Sequence, residues 1–162
     1  MEMTSNYKPI GGVESVVLYP AEAVARALFS SEGCEVELLG SPIEVALLED
    51  RSQYEESTHI EHGAVTVSHR LQIVADRSKA SAWLDNDFVE QATFDGFVGV
   101  VSLCDGRRLL VGYSALLGNE QPLRLEALIS SSGITPHDTP TVTLQLISHD
   151  ADFSATLLQP LI

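Results

Sequence analysis

Hydrophobic and polar positions alternate with period two over much of this chain, and the alternation is cleanest after residue 64. Val65, Val67, His69, Leu71 and Ile73 share one face of a strand, and Thr66, Ser68, Arg70 and Gln72 share the other. Thr141–Ser148 repeats the pattern, with Val142, Leu144 and Leu146 set against Thr143 and Gln145. Val13–Tyr19 reads as a first strand stopped by Pro20, and Ala21–Phe29 then has the composition of a short helix with proline just before its start. Residues 35–39 and 43–48 are apolar segments split by Gly40-Ser41-Pro42, which reads as a tight turn. In the second segment Ile43, Val45 and Leu47 point one way, Glu44, Ala46 and Leu48 the other.

Residues 49–63 are rich in acidic side chains and poor in apolar ones. They form either a long loop or the exposed tip of an extended hairpin. Residues 78–93 predict a helix capped by Ser78, with Ala82, Trp83, Phe88, Val89 and Ala92 along its stripe. Two apolar runs, FVGVVSL and LLVGY, flank Asp105-Gly106, a strong hairpin signal because such turns need positive φ. A strand over Leu123–Ile129 follows Pro122, then a Ser/Gly/Pro-rich loop, and FSATLLQPLI ends the chain as a short strand or tail. The expected fold is therefore mainly β (α+β): an antiparallel β-sandwich or barrel of about eight strands with one flanking helix. Residues 1–12 read as a flexible N-terminal arm, and 13–162 as a single β domain with the acidic loop or hairpin at 49–63.

At 162 residues, with 44% hydrophobic and 20% charged, the chain is long enough to bury a core without staples. No apolar run approaches the length of a membrane helix, and the N-terminus lacks the basic start and apolar stretch of a signal peptide. Cys34 and Cys104 form no CxxC and are expected as reduced, buried thiols. The charge changes the picture most. Against 9 basic residues stand 23 acidic ones, a net −14, which disfavours binding of nucleic acid or anionic membrane. Such a charge suits either simple solubility or a passage that DNA traverses without sticking.

Candidate chemistry is sparse. His59, Glu61 and His62 could hold zinc, but the HIEH order lacks the HExxH spacing, so solvated loop residues are the simpler reading. His69, on an apolar face, reads as a hydrogen-bonded core histidine, and His149-Asp150 as strand-end chemistry. Gly112-Tyr113-Ser114 lacks the GxSxG elbow. Neither Cys34 nor Cys104 has an adjacent cation, although Arg107 and Arg108 follow Cys104 closely. Glu55-Glu56 and Asp85/Asp87 lie on exposed segments. No catalytic, cofactor-binding or metal site is expected, and no cofactor; the chain reads as structural rather than enzymatic. A competing reading is a small-molecule-binding β-barrel with Trp83, Phe97 and Tyr113 lining its pocket.

Three segments belong together: YKPIGGVESVVLYP, DGRRLLVGYSALLGNEQPLRLEALISSSG and TPTVTLQLISHD. Their order of arm, glycine-started strand, acidic hairpin tip, helix, Asp-Gly hairpin and closing strand resembles small virion proteins of the phage and prophage tail-tube type. That group is similar in architecture to the tube protein of type VI secretion. The resemblance implies a virion protein made in the bacterial host's cytoplasm. It also implies rings, commonly hexameric, that stack into a hollow tube, with other tail proteins as further partners. DNA would pass through the lumen without specific binding. It assigns residues 1–12 and 49–63 to gripping a neighbouring ring, with Arg107, Arg108 or Arg124 as counter-charges.

Overall fold

A computed structural model describes residues 11–48, 51–115, 117–150 and 155–156. Three antiparallel sheets form three layers. The strands run β1 (Val13–Pro20), β2 (Val24–Ser30), β3 (Gly33–Leu38), β4 (Ile43–Val45), β5 (Gln53–Glu61), β6 (Ala64–Asp76), β7 (Phe97–Leu103), β8 (Arg108–Val111), β9 (Arg124–Ser131), β10 (Thr141–Asp150) and β11 (Ala155–Thr156). Between β6 and β7 lie two helices, α1 (Arg77–Ala80) and α2 (Asn86–Phe94). The central sheet has the order β11-β8-β7-β1-β4, the second sheet β5-β6-β10-β9, and β2-β3 is a separate ribbon.

The central layer is buried on both faces because β7 is apolar at successive positions. Phe97 and Val101 turn into the main core with Val16, Leu18, Leu109 and Val111, against Leu71, Ile73, Leu144 and Leu146 of the second sheet. Val98 and Val100 turn the other way, with Tyr19 and Leu110, against Cys34 and Val36 of the ribbon. Each such fully buried aliphatic side chain contributes about 1.5–3 kcal/mol. Phe88 of α2 closes one end of the main core, its ring 5.3 Å from Phe97 and 5.0 Å from Trp83.

The mainly antiparallel β character expected from the alternation is what the chain adopts. Three local expectations need correction. Ala21–Phe29 is not a helix: a 3-10 turn covers Ala21–Ala23 and the rest is β2. Pairing with β3 and burial of Ala27 and Phe29 against the central sheet override the helical composition. Gly40-Ser41-Pro42, expected as a tight turn, instead carries the chain between sheets, because β3 pairs with β2 and β4 with β1. The helix of residues 78–93 is two helices. Asp85 breaks it by accepting the Phe88 N–H at 2.8 Å as the N-cap of α2, and Asp76 rather than Ser78 caps α1.

Residues 53–63 adopt the hairpin alternative. Glu61 pairs with Ala64 across a two-residue turn in which His62 and Gly63 both have positive φ, +52° and +80°. This is the I′ geometry that matches strand twist, here with histidine where asparagine is the commoner first residue. The Asp105-Gly106 hairpin joins β7 to β8 as expected, and Ala155–Thr156 adds the short terminal strand. Gly96, between α2 and β7, has φ +77°, and a Cβ there would lie 2.7 Å from Pro122 Cγ and 2.8 Å from Leu123 O. No helix among the described residues is long and apolar enough to cross a membrane.

Candidate assembly surfaces

The second sheet ends in two strands, β5 and β9, that have no outer strand partner among the described residues, with the C-terminal end of α2 against the start of β9. Among the described residues β5 pairs only with β6, and β9 only with β10. Both edges carry exposed apolar side chains: Ile60 is 74% exposed near the β5–β6 turn, and Leu128 and Ile129 are 37% and 54% exposed on β9. Beyond β9, Asp138 Oδ2 accepts the N–H groups of Ile134 at 2.8 Å and Thr135 at 3.0 Å. These bonds hold the Asp138 carboxyl below its ordinary range, and they fix a loop on which Ile134 is almost wholly exposed.

The outer face of this sheet is polar. Glu55, Ser57, His59 and Glu61 of β5 share a shallow open cavity of about 610 Å³ with Arg70 and His149. Arg70 is already committed to Glu126, 2.9 Å away, and Ser68 Oγ lies 3.1 Å from His149 Nδ1.

A second open hollow of about 490 Å³ lies between β5 and the β7–β8 turn. The Tyr54 hydroxyl at its wall donates to Glu56 Oε1 at 2.7 Å and lies 2.7 Å from His69 Nδ1. A proton on Nδ1 completes the chain His69 to Tyr54 to Glu56. His69 is buried and hydrogen-bonded in the core, as its place on an apolar face suggested. The two partners come from β5, which the sequence left open between loop and hairpin, so this cluster was not foreseen. Its signal is the register: Glu56 sits opposite His69 on neighbouring strands.

The other candidate residues are dispersed. Glu61 and His62 are neighbours 3.9 Å apart and both largely exposed, with His59 two residues back along β5. Among the described residues no group of three His, Cys, Asp or Glu is placed to hold a metal ion. Trp83 and Phe97 pack in the main core and Tyr113 in the second, so the three do not line one pocket. Ser114 Oγ accepts the Leu117 N–H at 3.0 Å and serves a turn. Asp87 lies in the first turn of α2, which Asp85 caps. Both cysteines are free thiols, but only Cys34 is buried; Cys104 is exposed, which corrects the expectation of two buried thiols. Burial, with a smaller contribution from Glu35, raises the Cys34 thiol to about 11.

Of the proposed counter-charges, Arg107 is held by Asp105 at 3.0 Å and Arg124 donates to Phe94 O at 3.2 Å. Residues 1–10 of the arm and 49–50 of the acidic stretch lie outside the described residues. Compared with known proteins, the sequence matches no protein-family model and no curated protein.

Proposed function

We propose that this chain is a non-enzymatic structural protein of a virion, which assembles with copies of itself into the stacked rings of a phage tail tube or a related tail component. The observation that carries the reading is the four-stranded sheet whose two edge strands have no outer strand partner among the described residues. Because its strands alternate in direction and are even in number, β5 and β9 run in opposite senses. Copies related by rotation about one axis therefore meet β9 against β5 as antiparallel neighbours, and a closing rotation gives a ring. Joining edges also removes the aggregation hazard of an open strand.

In such a ring the bulk of each copy lies on the core side of the sheet, so the polar outer face lines the passage. Glu55 and Glu61 lie on that face, and its Arg70 is neutralised by Glu126. With a chain charge of −14, a passage of this kind repels the DNA phosphate backbone. The partners are other copies and neighbouring tail proteins, and the protein resides in the virion after synthesis in the host cytoplasm.

Light scattering over a concentration series tests the reading. The expected result is a mass that rises from the 17.5 kDa chain to a fixed multiple of it and then to larger stacks. A mass fixed at one chain throughout contradicts it.

A further inference from the structure

We infer that neighbouring copies join in one register, with Leu128 of β9 opposite Ile60 of the next copy's β5. This rests on the self-assembly reading above and adds to it a contact whose parity the period-two alternation fixes and whose register the exposed apolar pair selects.

The first is the phase of the backbone hydrogen bonds. Glu61 and Ala64 close a two-residue turn and are a hydrogen-bonded pair, so Thr58 and Ile60 turn their N–H and C=O groups to the free edge. Carried across β6, the same alternation makes Ile73–Leu144 a hydrogen-bonded pair. On β10 it is then Thr141 and Thr143 that bond to β9, at Ser131 and Ile129. Leu128 and Ser130 are left facing the free edge.

The second is the phase of the side chains. Leu128 sits opposite Leu144, a residue of the main core, so it lies on the inner face. Ile60 sits opposite Val65, in the row that continues through buried Val67 and Leu71, and so lies on the inner face too.

Antiparallel pairing of Leu128 with Ile60 of the next copy satisfies both phases. It places Ser130 opposite Thr58, Ile129 opposite His59 and Ala127 opposite Glu61, with no like charges facing. A slip of one residue turns each inner side chain outward. A slip of two sets Leu128 against Thr58, or beyond the end of β5 at His62, and puts Ile60 against Glu126 or Ser130 instead of an apolar partner.

The test uses the full chain with Cys104→Ser, carrying Ile60→Cys on one preparation and Leu128→Cys on another. Both positions are exposed, so folding is retained, and circular dichroism checks it. The two preparations are mixed under assembling conditions and treated with a short bifunctional thiol reagent. Covalent dimers in the mixture, and at least tenfold fewer with Thr58→Cys in place of Ile60→Cys, are expected. Stronger cross-linking at Thr58 overturns the register while the self-assembly reading stands. Rings in the microscope with no cross-link at either position overturn the β5–β9 contact. An unsubstituted protein that stays monomeric removes the parent reading and this one together.

Discussion

Cys34 and Cys104 carry the same group in opposite surroundings, and their chemistry should divide accordingly. Burial holds the Cys34 thiol protonated to about 11, whereas Cys104 is in solvent. A maleimide at pH 7.5 should label one thiol per folded chain, at Cys104, and two after denaturation; labelling of two in the folded state would contradict the packing of β3. At Gly96 the backbone is constrained from two sides, by positive φ and by Pro122 and Leu123 within 2.8 Å of a Cβ. Gly96→Ala is expected to cost about 2 kcal/mol or more, read as a fall in the thermal midpoint. Single residues were the level at which the sequence was least informative. Nothing near Tyr54 or Glu56 in sequence marks them as partners of His69, because His69 lies fifteen positions beyond Tyr54, on the other strand of the hairpin. Asp85, by contrast, is a recognisable cap, and the helical stripe through Trp83 and Phe88 concealed it.

At the scale of elements, the β5–β6 hairpin depends on two positive-φ residues, His62 and Gly63. Gly63→Val should strain the I′ turn and destabilise the hairpin by about 1–2 kcal/mol, visible as faster amide exchange in β5 and as loss of assembly. The β9–β10 loop responds to acid through Asp138, whose folded pKa is lowered first by the Thr135 N–H and then by that of Ile134. A lowered pKa stabilises the loop above the unfolded value of about 3.9, and the contribution is lost as pH falls through the folded value. The amide resonances of Ile134 and Thr135 should therefore hold steady down to about pH 4 and move only below it. Long alternating strands such as β6 and β10 were legible because one face of each is core and one is polar. The ribbon strand β2 was not, since its conformation is set by β3 and by packing on another sheet, and β4 showed its alternation but not its pairing with β1, a strand distant in sequence. The acidic hairpin was legible only as an alternative, because β5 buries too little to show a period.

The whole molecule carries −14, so copies repel one another before their edges meet. Assembly should strengthen as salt rises from about 0.05 to about 0.5 M, because the screening length falls from over ten ångströms to a few. Weakening over that range would indicate contacts dominated by opposite charges instead. The layered antiparallel class was readable from alternation and turn residues, but three layers were not. Period-two reading assigns faces without saying which sheet meets each face, and only the apolar run of β7 hints at burial on both. Negative-stain electron microscopy of concentrated protein at moderate salt decides whether the chain self-assembles. Rings or tubes of one uniform diameter are expected. Single globular particles at every concentration and salt would contradict self-assembly.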